Sequence, residues 1–278
     1  MKWNIVTDSS CDLQPKDMKS RRAGFSSVPF IISVDTQDFV DDENLNTAVM
    51  LEAMERCAQA SHTSCPSPQS WSEKFEEAEQ TIAITISSQL SGSMNSAIIA
   101  RKMVLEQHPE KKIAVLDSCS TGPEIAMCVE RIMEKIESGA DFESVVDDAN
   151  AFLKKTKVIF ALSSFDNLVK NGRMSKMAGF IARRLGMWGI GVGSEEGTIV
   201  IKGKVRGSAK AIAFILERMK ENGFSGGKVM ISHCQNPDFA RRLKEKLQEL
   251  WKSCEVQILP TRGLCSYYAE RGGVILSY

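Results

Sequence analysis

Hydroxyl side chains are concentrated in two segments of the first half of the chain, each placed directly before a predicted helix. One segment covers residues 63–68 and the other covers residues 87–93. The start of a helix presents unpaired N–H groups and a partial positive charge, and serine and threonine hydroxyls add short-range donors. An anion can bind there without a cation, and Gly92 allows a ligand to approach the backbone closely. Ordinary helix capping is the alternative interpretation, because Ser and Thr are common caps and Ser67 before Pro68 is typical of one.

The few histidines allow other chemistry. His62 and Cys65 have the H-x-x-C spacing of half a zinc site, but no second ligand pair lies nearby in the sequence. His233 follows a predicted strand and could serve as the base for Ser91, the nucleophile of a hydrolase or transferase. The chain lacks the G-x-S-x-G motif of one large class of such enzymes. A structural role for His233 is therefore the competing interpretation.

Short apolar runs that alternate with helical periodicity must position these side chains. Runs of this length are typical of strands buried on both faces, and their alternation with helices predicts an α/β fold. Ligands of open α/β sheets bind beyond the carboxyl ends of the strands, where Asp8 and Asp117 either line the same crevice or cap the next helix. The predicted strands are 3–6, 82–86, 113–116, 158–162, 229–231, 256–259 and 274–276, and the predicted helices include 50–57, 94–105, 125–136, 212–219 and 239–250.

The order of predicted strands, loops and helices changes near residue 155, where we place a domain boundary. Residues 1–155 are predicted to form an N-terminal α/β domain of Rossmann-like type, and residues 156–278 a C-terminal α/β domain. A hairpin is predicted around residues 195–197. Gly189, Gly191 and Gly193 match neither the GxxxxGK[ST] nor the GxGxxG pattern. We therefore interpret this glycine-rich stretch as a flexible or closely packed interdomain loop rather than a nucleotide loop.

Composition limits the class of function. The 278 residues are 43% hydrophobic and 25% charged, as in ordinary folded proteins, and the 35 basic residues balance the 35 acidic ones. Nucleic acid is a poor candidate partner, because phosphate binding usually needs a basic surface. The first residues do not resemble a secretory signal and no apolar run approaches the ~20 residues of a membrane helix, so we expect a cytoplasmic protein with only transient membrane contact. The eight cysteines have no framework spacing and are expected to be reduced thiols.

Six short motifs, taken in order, resemble those of the DegV family of bacterial fatty-acid-binding proteins. Each motif alone is short, but six in the same order are specific, and the resemblance spans nearly the whole chain. The matching segments are Thr7-Asp8-Ser9-Ser10-Cys11-Asp12-Leu13, Thr63-Ser64-Cys65-Pro66-Ser67, Ile86-Ser87-Ser88-Gln89-Leu90-Ser91-Gly92-Ser93 with Ser96-Ala97, Val115-Leu116-Asp117-Ser118, Leu168-Val169-Lys170-Asn171-Gly172-Arg173-Met174, and Arg206 before a helix.

The resemblance implies two α/β domains that enclose a fatty acid in a cleft between them. The family's proteins are non-catalytic carrier subunits of a fatty acid kinase, in which a separate ATP-binding subunit phosphorylates the carboxyl group to an acyl phosphate. The resemblance therefore implies a bound lipid but no cofactor and no metal. We also expect a monomer. Arg206 is expected to face the kinase subunit, and Arg173 to tie the two domains together. The residues expected to bind the carboxylate are Thr63, Ser64, Ser91, Gly92, Ser93 and Tyr268.

The sequence departs from the family pattern at two places. Near the C terminus the family usually has an HxGPG segment with a histidine beside the carboxyl group, and here Tyr268 stands at that position. The family's Lys-Pro after the glycine-arginine segment is replaced by Trp188-Gly189, which we expect to reshape the interdomain loop. We also expect only neutral donors at the carboxylate, because a fixed cation would quench the oxygen that a kinase phosphorylates. The alternatives are a serine-dependent lipid hydrolase or transferase and a lipid-sensing regulatory protein.

Overall fold

The computed structural model describes residues 2–57, 61–174 and 186–278 and has a mixed α/β architecture. The predicted α/β class is therefore confirmed, and all seven predicted strands and five predicted helices are present. The strands are β1 (Trp3–Asp8), β2 (Ala23–Val28), β3 (Ile31–Val34), β4 (Gln37–Val40), β5 (His62–Ser64), β6 (Gln80–Thr85), β7 (Lys112–Asp117), β8 (Val158–Leu162), β9 (Met187–Gly193), β10 (Ile199–Arg206), β11 (Gly227–His233), β12 (Cys254–Pro260) and β13 (Val274–Ser277). The helices are α1 (Thr47–Arg56), α2 (Pro68–Glu76), α3 (Ser93–Gln107), α4 (Pro123–Glu137), α5 (Phe142–Leu153), α6 (Asp166–Lys170), α7 (Ser208–Glu221), α8 (Pro237–Leu250) and α9 (Gly263–Ala269), with a 3₁₀ turn at Pro15–Asp17.

The described strands form three sheets. A parallel sheet has the order β2-β1-β6-β7, so the loops that follow β1, β6 and β7 meet at one edge. A mixed sheet has the order β10-β9-β8-β13-β11-β12, in which only β11 and β12 are parallel neighbours. A small antiparallel sheet has the order β4-β3-β5. The loop containing Ser91 thus follows the carboxyl end of a central parallel strand, as the sequence predicts.

The sheets divide near residue 155, but the hydrophobic cores do not. Strands of the parallel sheet all lie before residue 118, and strands of the mixed sheet all lie after residue 157. However, one apolar cluster joins Ile32 and Met50 to Phe160 and Tyr267, and α4 packs against β1 of one sheet and β11 and β13 of the other. The boundary near residue 155 stays a prediction, and any units on its two sides share core residues.

The predicted hairpin is present, and the interpretation of the glycine-rich stretch as a loop is wrong. β9 and β10 pair in antiparallel fashion, with Gly189, Gly191 and Gly193 inside β9. Side chains alternate along a strand, and Ile190 and its neighbours on the same face lie in the core beneath α7 and α8. Glycine occupies the opposite face. Trp188 stacks on Phe239 with ring centroids 4.8 Å apart, so this departure from the family pattern is a packing feature of a strand.

The tip of this hairpin docks on the parallel sheet. Gly197 has a φ of +87°, and its carbonyl oxygen accepts a hydrogen bond of 2.7 Å from the Ser87 hydroxyl. A Cβ atom at position 197 would overlap the Ser87 Oγ atom and lie 3.0 Å from the Cα of Cys119. Glycine is therefore needed both for the backbone conformation and for the close approach.

No helix among residues 2–57, 61–174 and 186–278 is long and apolar enough to span a membrane.

Candidate functional site

A mainly apolar cavity lies where the loops of the parallel sheet meet α9 and the mixed sheet. The space between its lining atoms is about 590 Å³, part of which is open to solvent. Thr63, Ser91, Thr121, Arg173 and Tyr268 are its polar side chains. The remaining described lining residues are Phe30, Ile86, Leu90, Phe160, Leu162, Leu168, Ile199, Leu264, Cys265, Ala269 and Ile275.

Thr63 and Tyr268 form a hydroxyl pair in the wall of the cavity. Their oxygen atoms are 2.9 Å apart, and either can be the donor. One hydrogen bond uses one of the two hydroxyl protons, so the other proton can be donated to a bound group. Burial raises the pKa of Tyr268, although the hydrogen bond with Thr63 and the charge of Arg173 act in the opposite direction. Tyr268 therefore stays a neutral donor at physiological pH.

A buried carboxylate holds the loop that carries Ser91. The Asp8 Oδ2 atom accepts hydrogen bonds from the Ser93 hydroxyl at 2.6 Å and from the Ile86 N–H at 3.0 Å, while Ser10 donates to Oδ1. The Ser91 hydroxyl accepts from the Ser93 N–H at 3.2 Å. Its own proton remains available for the cavity. Burial raises the pKa of Asp8 despite these four donors.

Three residues predicted to bind the carboxylate lie outside the described lining of the cavity. Ser64 is exposed, because it alternates with Thr63 along β5 and so faces the other way. Gly92 is exposed at the start of α3. Ser93 is fully buried, and its hydroxyl donates to Asp8. Of the predicted set, the structure brings together Thr63, Ser91 and Tyr268.

Arg173 is also part of the lining, so the expectation of neutral donors alone does not hold. Its Nε atom donates to the Leu90 carbonyl oxygen at 3.2 Å and Nη1 donates to the Asn171 carbonyl oxygen at 2.5 Å. The first bond connects the loop after β6 with the segment after α6, across the predicted boundary. An interdomain role for Arg173 stays a prediction. Its position in the cavity adds a positive charge that two backbone carbonyls already solvate in part.

The α9 helix, which carries Tyr268, is held by a buried charge network that the sequence does not reveal. The Asp41 carboxylate accepts from the N–H groups of Gly263 and Leu264 at 2.8 and 2.7 Å. Arg262 is 4% exposed, and its guanidinium donates to the Asp41 carbonyl oxygen at 2.8 Å. The Asp12 Oδ1 atom accepts from the Arg262 backbone N–H at 2.9 Å. Charges this deeply buried persist only when paired, so the network fixes the start of α9.

His233 and the other possible metal ligands are the residues on which the hydrolase and zinc alternatives depend. His233 is absent from the described lining of the cavity, and its Nδ1 atom accepts from the Asn236 N–H at 3.2 Å. Among the described residues, no group of three or more His, Cys, Asp and Glu side chains is arranged to hold a metal ion. Arg206, the residue expected to face the kinase subunit, is exposed at the end of β10, one of the two edge strands of the mixed sheet.

A family model described as an uncharacterised protein of the DegV family matches residues 2–278. The chain belongs to the DegV family. A DegV domain-containing protein of Streptococcus pneumoniae is 40% identical over 278 residues, which are 100% of this chain and 99% of the relative.

Two solved structures show the same fold with a bound lipid. The Streptococcus pneumoniae fatty acid kinase (Fak) B3 protein loaded with linoleic acid is similar to this DegV chain with a TM-score of 0.97 and 40% identity, covering 100% of this chain and 99% of that one. A DegV family protein from Eubacterium eligens loaded with heptadecanoic acid gives a TM-score of 0.94 and 37% identity, covering 99% and 98% of the two chains. DegV relatives of this chain therefore bind fatty acids.

Proposed function

We propose that this protein binds one long-chain fatty acid in the cavity and presents its carboxyl group to a separate ATP-binding kinase subunit. The observation that carries the proposal is the meeting of the Thr63–Tyr268 hydroxyl pair and Ser91 in the wall of one mainly apolar cavity. An amphiphile with a long apolar tail and one small polar group matches that chemistry. The chain itself needs no cofactor for this role, and it acts in the cytoplasm, where ATP is available.

The apolar part of the cavity supplies the affinity. Burial of one CH₂ group contributes ~0.8 kcal/mol, so a C16 tail has about 12 kcal/mol available before the cost of association. That cost is ~4 to 15 kcal/mol. A ligand with a much shorter tail therefore gains too little from burial to bind tightly. The donors at the other end need only replace the water around the head group.

Those donors also fit an ionised carboxylate. A carboxylate taken from water without hydrogen bonds is heavily penalised. Ser91 and the unused proton of the Thr63–Tyr268 pair offer neutral donors, and Arg173 contributes charge at the same wall. Because the arginine already donates to Leu90 and Asn171, we propose that the hydroxyls make the direct contacts and leave an oxygen reactive toward phosphoryl transfer.

Extraction of the purified protein tests lipid binding. We expect organic solvent to release close to one equivalent of long-chain fatty acid, identified by mass spectrometry, and we expect less lipid from Thr63→Ala and Ser91→Ala. Val49→Ala, which truncates an exposed residue of α1, is the control and should retain the wild-type amount. Absence of fatty acid in the wild-type protein, together with ester hydrolysis that requires Ser91, would favour the hydrolase alternative.

Turnover with the ATP-binding subunit of the same organism tests the kinase role. Loaded protein should support formation of acyl phosphate, whereas either protein alone should not. Tyr268→His compares the residue found here with the histidine of the family pattern, and equal rates would show that tyrosine is a sufficient donor. Arg206→Ala should weaken complex formation without loss of bound lipid, and undiminished complex formation would remove Arg206 from the interface.

A further inference from the structure

We infer that Ile199, on the edge strand β10, determines the length and bend of the acyl chain that the cavity accepts. The inference rests on the proposed function and concerns the apolar wall rather than the hydroxyl end. Ile199 lines the cavity and is half-buried. It is the first residue of β10, directly after the hairpin tip.

One face of the mixed sheet forms the wall to which Ile199 belongs. Phe160 and Leu162 on β8 and Ile275 on β13 line the cavity, and Ile275 is the register partner of Phe160. On the other side of Phe160, its register partner on β9 is Gly191. Side chains at paired positions of adjacent strands lie on the same face of a sheet. The wall therefore passes from large side chains on β13 and β8 to a bare backbone on β9.

Ile199 and Ile201 lean over this bare backbone. A Cβ atom at Gly191 would lie 3.8 Å from the Cγ2 of Ile199, 3.5 Å from the Cδ1 of Ile201 and 3.3 Å from the carbonyl oxygen of Val200. The two isoleucines thus occupy space that a side chain on β9 would otherwise fill. The distances to the two isoleucines are ordinary van der Waals distances, so a methyl group at position 191 would touch Ile199 without displacing it, whereas a larger side chain would need the space that Ile199 occupies.

Ile199 can change size with less disturbance of the core than the other wall residues. Phe160 and Ile275 lie on strands in the interior of the sheet and are 6% and 3% exposed. β10 is paired on one side only, with β9. A larger or smaller side chain at position 199 should therefore change mainly the volume of the cavity. Protein interiors are close-packed, so a ligand must fill whatever space the wall leaves.

Paired substitutions with opposite expected effects test the inference. Delipidated protein would be incubated with an equimolar mixture of saturated and cis-unsaturated acids from C12 to C20, and the bound acids would be measured by mass spectrometry. Ile199→Ala removes three carbons from the wall and should shift the mean bound length upward by about two carbons or toward more strongly bent chains. Ile199→Phe should shift it downward by about two carbons.

Val200 provides the matched control. It is the next residue on β10, is half-buried and is absent from the described lining of the cavity. Val200→Ala and Val200→Phe should leave the composition of the bound acids unchanged. If Ile199→Phe does not fold, Ile199→Ala and the milder Ile199→Val still test the upward shift.

The outcomes separate this inference from the proposed function. Opposite shifts for Ile199→Ala and Ile199→Phe, with no shift for the Val200 variants, would support it. Unchanged selectivity in folded, lipid-loaded Ile199 variants would overturn it and leave the proposed function intact. Failure of the wild-type protein to take up any acid would overturn both.

Discussion

Tyr267 and Tyr268 are neighbours on α9, yet their hydroxyl groups have different surroundings. The Tyr268 hydroxyl pairs with Thr63 in the cavity wall. The Tyr267 hydroxyl interacts with the Ser61 hydroxyl at 2.8 Å and accepts from the Asn171 side chain at 3.0 Å, and it is absent from the described lining. The two residues therefore offer a comparison in which an identical change is made inside and outside the site.

Tyr268→Phe should weaken fatty-acid binding by about 10- to 100-fold, because a hydrogen bond to a charged group contributes ~1.5 to 3 kcal/mol. Tyr267→Phe should lower the free energy of unfolding by ~1 to 2 kcal/mol and leave the Kd within about threefold of wild type. Displacement of a fluorescent fatty acid gives the Kd, and urea titration gives the stability. Equal losses of affinity in both variants would contradict a direct role for the Tyr268 hydroxyl.

Asp12 gives stability a pH dependence of predictable sign. Burial raises its pKa to about 6 from the ordinary 3.8, although the neighbouring Ser232 hydroxyl and the Arg262 N–H lower it. In the unfolded chain the carboxyl group loses its proton near pH 4, whereas in the folded protein it keeps the proton until about pH 6. The folded state thus binds more protons in this window. Its contribution to stability is greatest below pH 4 and falls as pH rises to 6.

Asp12→Asn should remove about 2 kcal/mol of this pH dependence between pH 4.5 and 7.5, because one pKa unit corresponds to ~1.4 kcal/mol and part of the shift acts below pH 4.5. The Oδ1 acceptor for the Arg262 N–H is retained in the variant. Urea unfolding between pH 4.5 and 7.5 measures the slope, and Asp147→Asn, at an exposed position on α5, is the control. A slope for Asp12→Asn that matches that of wild type would assign the pH dependence to other buried carboxyl groups.

The sequence identifies some residues that line the cavity, but not the buried charged residues that hold α9 in place. Thr63 and Ser91 stand out because hydroxyls cluster before helices. Asp41 and Arg262 give no such signal, because they are more than 200 residues apart and each alone looks like an exposed charge. The alternation of burial along β5, which removes Ser64 from the cavity, could be read only once the strand is known.

At the scale of elements, α9 depends on the charge of Asp41. Asp41 is 1% exposed, and its Oδ1 atom lies 4.0 Å from the Arg262 Nε atom. Asp41→Asn removes one of the buried carboxyl groups beside the arginine and should lower the free energy of unfolding by ~3 to 5 kcal/mol. Glu52→Gln, in an exposed pair with Arg56 at 3.5 Å, should cost less than ~1 kcal/mol. Similar small effects in both variants would show that the buried pair is dispensable.

The hairpin tip depends on the lack of a side chain at position 197. Gly197→Ala should destabilise by ~2 to 4 kcal/mol, because a Cβ overlaps Ser87 and the φ of +87° is unfavourable for alanine. Gly223 has a φ of +77° with no atom near its Cβ position. Gly223→Ala should therefore cost only the ~1 to 2 kcal/mol of the backbone. Thermal denaturation compares the two variants, and equal midpoints would show that the tip does not dock tightly.

The predicted elements share a strong signal that the missed elements lack. The seven predicted strands are short, mainly apolar runs, whereas β2 contains two serines and a glycine and is mostly half-buried. The small sheet of β3, β4 and β5 has only short strands. The α9 helix is buried on nearly all sides, so it shows no amphipathic period. Sequence pattern alone could not locate these elements.

For the whole molecule, removal of the ligand should lower thermal stability. A ligand at 100 times its Kd stabilises the folded state by ~2.7 kcal/mol, which corresponds to a rise in Tm of about 5 °C or more for a chain of this size. Delipidated protein should unfold at the lower temperature, and oleate should restore the original Tm. Acetate has the same head group without the tail and should not. An identical Tm in the loaded and delipidated states would argue against a ligand that fills the cavity.

The apolar cluster that joins α1 to α9 also affects how the chain folds during synthesis. Met50 and Leu51 are fully or almost fully buried, and their cluster includes Tyr267, more than 200 residues later. At ~5 to 20 residues per second, the ribosome takes roughly 10 to 40 seconds to add that length of chain. During this interval the nascent α1 region exposes apolar surface that has no native cover. Expression without chaperone assistance should consequently favour aggregation of incomplete chains over aggregation of the finished protein.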